Sequence, residues 1–275
     1  MRWLRFILSH SIFISVCAIA LVFQTGVLLH ITIPVPLYSF TFFATLCSYN
    51  FYWLLSSWAL TKQHPAVFIR SHVTNIILFT VAGIGLLISL YHLANILSAV
   101  ATALLLTILY AIPLMPFKFL RFTRKAGVLK TVVLAFTWTY VTVYLPYATA
   151  AKVDSSQLLM LFNNRFLFML MLCIIFDARD EQVDKLRGLR SLATDVKPRI
   201  LGYMMIAIFA AYIINGIVFR IYFKELSQLV AFLVSGIATA TVYFLSLKKQ
   251  GYYFYYFVVD GLMLLSAVLT GLATI

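Results

Sequence analysis

Acidic residues are scarce in this sequence and absent from its first half. Its 275 residues include eight Asp and Glu, and none precedes Asp154. Charged residues of both signs make up 11% of the chain, against about 25% in ordinary soluble domains. Cysteine is rarer still, at three. Cys17, Cys47 and Cys173 each lie in an apolar run, without the spacing of a metal or disulfide framework, and read as packing residues. There is no Gly-rich phosphate loop, zinc motif or nucleophilic triad. What is abundant is hydrophobic side chain, at 63%. A soluble domain of this length has no means of covering so much apolar surface, which excludes a water-soluble enzyme, a nucleic-acid binder and a disordered chain. An integral membrane protein remains.

A spanning helix needs about 20 mostly apolar residues. Nine such segments are expected, at 9–31, 37–59, 74–94, 96–114, 129–149, 157–176, 200–219, 226–246 and 251–272. The connections are short, so residues 1–275 read as a single membrane domain. Runs of this length without dyad alternation exclude a barrel and leave an all-α bundle. The start, Met1-Arg2-Trp3-Leu4-Arg5, has the flavour of a signal peptide, and Ala18-Ile19-Ala20 resembles a cleavage site. The apolar run continues to Ile33, however, longer than a signal core, so it is expected to stay as a span.

The basic residues are distributed by side. Alternate connections hold seventeen Lys and Arg, the intervening ones hold Lys152, Arg220 and Lys224, and Arg165 lies within the sixth segment. The positive-inside rule then predicts a cytoplasmic N-terminus and an external C-terminus. The formal +13 is mainly a topology signal, with anionic lipid or substrate as a secondary use.

Five of the eight acids (Asp177, Asp180, Glu181, Asp184, Asp195) fall within nineteen residues, just after the sixth segment. If the helix continues into the cytoplasm, Asp177, Asp180 and Asp184 follow i, i+3, i+7 and share one face. Like charges so arranged repel unless a cation joins them, and Mg²⁺ is commonly held by one or two carboxylates plus substrate phosphates. Arg179, Lys185, Arg187 and Arg190 surround the cluster and suit a phosphate. The same residues also suit a solvated, salt-bridged loop.

The run Asp177, Arg179, Asp180, Asp184, Gly188 resembles the second Asp-rich motif of the UbiA superfamily of membrane prenyltransferases, D-x-R-D-x-x-x-D-x-x-x-G. The segment from Tyr110 through Pro113 and Pro116 to Lys118 and Arg121 is similar to that family's fourth span and the loop after it. The resemblance implies a nine-helix, UbiA-like bundle around a central cavity, Mg²⁺ as cofactor, and a polyprenyl diphosphate and a hydrophobic acceptor as partners within membrane lipid. It implies transfer of the polyprenyl group to an aromatic or lipid-like acceptor. On this sequence Asp180 and Asp184 become the metal ligands and Asp177 a neighbouring catalytic carboxylate. Asn50, Tyr110, Lys118, Arg121, Arg179 and Lys185 become substrate-binding residues. One departure stands out. If Asn50 matches the Asn that opens the family's first Asp motif, its three Asp positions hold Phe51, Leu54 and Trp58.

That departure keeps a second function open, a catalytically impaired homologue binding an isoprenoid or a partner. A third is a small transporter with Arg165 and Asp260 on its path. Charges at mid-membrane usually face the protein interior or a wet cavity, so these two are expected either to pair, perhaps with each other, or to face a cavity. Tyr252–Phe257 reads as an interfacial aromatic belt. Tyr49, Tyr52 and Trp53 are the better candidates for shielding an allylic cation.

Overall fold

With no water in the bilayer core, long apolar segments satisfy their backbone hydrogen bonds by forming helices, and among the described residues no strand occurs. The computed structural model describes residues 2–61, 64–111, 127–150, 154–187, 190–223, 225–248 and 250–274. Its helices are α1 (Arg2–Ser9), α2 (Ile12–Leu28), α3 (Val35–Thr61), α4 (Pro65–Ser71), α5 (Val73–Tyr91) and α6 (Leu97–Ala111). After them come α7 (Gly127–Thr139), α8 (Leu145–Ala148), α9 (Ser155–Arg187), α10 (Leu192–Asp195), α11 (Pro198–Phe223), α12 (Leu226–Ser246) and α13 (Asp260–Leu272). A π-helical segment, Tyr140–Tyr144, joins α7 to α8, and a second, Phe254–Val259, leads into α13.

Among the described residues seven helices are long and apolar enough to cross a membrane, and the bent pair α1–α2 makes an eighth. The remaining expected segment, 37–59, falls on the 27-residue α3, long enough to cross but diluted by Tyr38, Ser39, Thr41, Ser48, Tyr49 and Asn50. The first expected span, 9–31, falls on α2. Before it, residues 2–9 form a separate helix turned 67° from α2. The break sits at Ser11, whose φ of 62° lies in the left-handed region that a residue with a Cβ rarely adopts.

Packing neighbours run in the order α5, α3, α2, α13, α12, α11, α9, α7 and α6. Of the spanning helices α9 is the most enclosed, with 56% of its apolar stretch buried, whereas α5 has 11% buried. Buried side-chain hydrogen bonds tie the helices together where the apolar effect between helices is weak. Gln24 of α2 donates to Thr270 Oγ1 of α13 at 2.8 Å, and Thr25 donates to the carbonyl of Thr142 at 2.7 Å. That carbonyl belongs to the first π-helical segment, whose register leaves backbone groups in need of partners. All three cysteines are free; Cys17 and Cys173 are buried and Cys47 is half-buried, as packing residues should be.

Arg165, 3% exposed, does not pair with Asp260. It donates to Gln24 Oε1 at 2.7 Å and to the carbonyl of Leu21 at 3.5 Å. The expectation of a mutual pair fails because a neutral amide on α2 meets the guanidinium first.

Candidate functional site

The apolar run of α9 ends near Ile175, but the helix continues to Arg187, because nothing in Phe176–Arg187 breaks it. The expected i, i+3, i+7 face is therefore formed. Asp177, Asp180 and Asp184 all line one cavity of about 380 Å³. Lys130 of α7, Tyr110 of α6, Tyr49 and Trp53 of α3, and Tyr252, Tyr256 and Asp260 from the last span complete its wall. Ser9 and Ser11, at the α1–α2 break, lie across one side of it.

The three carboxylates have different tasks. Asp177 Oδ2 accepts a short hydrogen bond from Thr131 Oγ1 of α7 and another, at 3.2 Å, from the backbone N–H of Leu192 at the start of α10. It clasps the segment after α9 back onto the bundle. Asp180 is held by both forks of Arg179, at 2.7 Å each. That guanidinium lies over the rings of Phe176, Tyr255 and Tyr256, 4.9–5.2 Å from their centroids, a stacking suited to its planar charge. Asp184 is buried at the same wall, one turn beyond Asp180.

Not every expected site residue reaches the cavity. Asn50 is 1% exposed and spends its amide within the protein. It donates to the carbonyls of Leu46 and His10 and accepts from Asn75, so it fixes α3 against the α1–α2 break and α5. Lys185 is exposed and pairs with Glu181 one turn back. Lys118, Arg121 and Gly188 lie outside the described residues. The positions aligned with the missing first motif carry packing: Phe51 stacks on Phe79 and Trp58 meets Phe68 edge-on.

Two further charged residues are on the wall: Lys130, one of the seventeen basic residues behind the topology signal, and Asp260, expected either to pair or to face a cavity. The cavity role holds for Asp260: it is 3% exposed, its Oδ1 has no hydrogen-bond partner, and Arg179 is the charged group acting on it. Tyr252 and Tyr256, expected in an interfacial belt, also line the cavity.

The cavity adjoins two apolar ones. The first, about 230 Å³, shares Tyr49, Tyr110 and Leu134 with it and extends past Trp138. The second, about 370 Å³, shares Tyr52, Thr107 and Val141 with the first and lies between α3, α5 and α6. An acidic, polar cavity thus adjoins a row of two apolar ones. Among the described residues no three His, Cys, Asp or Glu come together as a ready metal centre. Asp180 and Asp184, one turn apart on one wall, fit the two-carboxylate pattern in which substrate oxygens supply the other ligands.

No family model matches the sequence, and no curated protein does. Among solved structures, a UbiA homolog from Aeropyrum pernix matches 94% of this chain over 96% of its own, with a TM-score of 0.59 and 13% identity. A digeranylgeranylglyceryl phosphate synthase matches over the full length of both chains, with a TM-score of 0.53 and 15% identity. The chain is an all-α membrane protein with the UbiA fold.

Proposed function

We propose that the protein is a UbiA-type prenyltransferase that binds a polyprenyl diphosphate with its head in the acidic cavity and its tail in the adjoining apolar passage. The carrying observation is that junction of charged head and apolar passage, which complements an amphiphile of this shape. The fold shared with a digeranylgeranylglyceryl phosphate synthase supports the same reading.

On the described wall, four carboxylates face Lys130 and Arg179. This net acidic surface repels a diphosphate unless a cation accompanies it, so the reading includes Mg²⁺ held by Asp180 and Asp184. When bound, the metal would neutralise charge on the departing diphosphate. Lys130 adds a fixed positive charge from α7. Asp177 acts through position, holding the α9 end and α10 in register. Tyr49 and Tyr110 line both the acidic cavity and the apolar one beside it, and Trp53 lines the acidic cavity; an allylic cation would develop there, and aromatic rings stabilise cations while excluding water. Residues 51, 54 and 58 offer no carboxylates for a second metal, so this chain works with one acidic cluster.

The test is binding of geranylgeranyl thiolodiphosphate to purified protein, with and without Mg²⁺, in the wild type and in Asp180→Asn/Asp184→Asn. The wild type should need Mg²⁺, and the double variant should lose at least about tenfold in affinity, the scale of one lost charge-assisted contact. Unchanged Mg²⁺-dependent binding by the double variant overturns the site assignment.

A further inference from the structure

Packing within the bundle does not account for α1. Of its eight residues only Leu8 is buried in the protein. Trp3 is 82% exposed, and Leu4, Phe6 and Ile7 are exposed with it. A helix this short is marginal in water unless a surface supports it, and the bundle offers α1 little beyond the pocket of Leu8. Among the described residues neither Arg2 nor Arg5 forms an ion pair, and α2 to α8 contain no carboxylate to neutralise them.

The order of residues in α1 says which surface fits it. Arg2, Arg5 and Ser9 follow i, i+3, i+7 and share one face, while Trp3, Leu4 and Ile7 share the opposite one. Its axis is turned 67° from α2. With a span tilted by about 20°, α1 then lies closer to the membrane plane than to its normal. The break also falls where the edge of the bilayer belongs. The 17 residues of α2 extend about 25 Å at ~1.5 Å per residue, most of the ~30 Å hydrocarbon core. Arginines on one face, with aromatic and aliphatic side chains on the other, are the pattern of a helix that lies in the interface. The positive-inside rule assigns this end of α2 to the cytoplasmic side, where the leaflet is anionic.

We propose that α1 is an interfacial helix docked on the anionic lipid headgroups of the cytoplasmic leaflet. Trp3, Leu4 and Ile7 enter the boundary of the acyl chains, and Arg2 and Arg5 reach up to the lipid phosphates. This docking bears on the acidic cavity. Leu8, Ser9 and Ser11 line it, and the carbonyl of His10 accepts from Asn50 at 3.2 Å. Arg5 acts electrostatically on Tyr252 of the same wall. A docked α1 therefore holds one edge of the cavity at the membrane surface, whatever the cavity binds.

The test places the full chain in nanodiscs of phosphatidylcholine mixed equally with phosphatidylglycerol, with bromine on the acyl chains of one lipid or the other. Bromine quenches tryptophan on contact, and the difference between wild type and Trp3→Phe isolates Trp3 from Trp53, Trp58 and Trp138. Both lipids should quench Trp3. The ratio should report an enrichment of phosphatidylglycerol of at least about fivefold, the effect of one basic residue at an anionic surface. Arg2→Gln/Arg5→Gln should keep the quenching and lose the enrichment, whereas Arg2→Lys/Arg5→Lys should keep both. Added salt should weaken the enrichment in the wild type, because it screens the charges; this reads the same effect without any substitution. Quenching of Trp3 by neither lipid overturns the docking. Equal quenching by both in the wild type overturns the choice of anionic headgroups, and so does an enrichment that survives salt or the glutamine pair.

Discussion

Three aspartates on one helix face have different surroundings, and substitution should separate the clasp from the proposed metal pair. Asp177 is the clasp between α7 and α10. Asp177→Ala should destabilise the protein by about 1.5–3 kcal/mol, the range for hydrogen bonds to a charged group, seen as a lowered thermal midpoint in detergent. A midpoint unchanged within error contradicts the clasp. Asp184 should behave otherwise, with Asp184→Asn affecting ligand affinity more than stability. The spacing of these carboxylates was legible because it is local: i, i+3 and i+7 meet on any helix that continues. Asp260 was not, since Arg179, the charge beside it on the wall, comes from α9, about eighty residues away. Asn50 was misread for a related reason. A matched motif position does not say which carbonyls an amide meets once α1 and α5 have packed beside it.

At the scale of elements, the bundle depends on close approach and on a few buried polar links. A Cβ added at Gly236 of α12 would lie 2.8 Å from the ring of Tyr212 on α11, a side chain that is itself almost completely buried. Gly236→Ala should therefore cost about 1–3 kcal/mol as overpacking, whereas Gly83→Ala on α5 meets nothing within 4 Å and should be neutral. Parallel thermal melts of the two variants decide this. Gln24 links Arg165 of α9 to α13. Gln24→Leu strands a buried cation and should cost about 3–5 kcal/mol, while Gln24→Leu/Arg165→Met, which removes both, should recover most of that loss. Additive destabilisation in the double variant contradicts the link. Helix positions were largely legible from apolar runs, because lipid leaves the backbone few alternatives. The 67° break at Ser11 was not, since the apolar character runs straight through it.

Across the whole molecule, a charged cavity adjoins two apolar ones, so on the transferase reading chain length should be read by the apolar pair. Thr107 lies on the wall common to both apolar cavities. Thr107→Trp should leave geranyl thiolodiphosphate affinity within about twofold and weaken the geranylgeranyl analogue by at least about tenfold. Equal losses for both would contradict a tail lying there. The bias of seventeen basic residues to three was legible in sequence alone, and the positive-inside rule predicts from it that the cavity opens at the cytoplasmic end. The fold as a whole was legible from one local motif together with the pattern of spans. The passage was not, because it is made by α3, α5, α6 and the π-helical turn after α7 coming together. The most direct measurement is an experimental structure with geranylgeranyl thiolodiphosphate and Mg²⁺ bound. The expected result places the diphosphate against Lys130, Asp180 and Asp184, with the tail passing Tyr110 toward Trp138 and Thr107. A diphosphate bound elsewhere, such as the cleft beside His30 and Glu225 at the other end of α2, would contradict it.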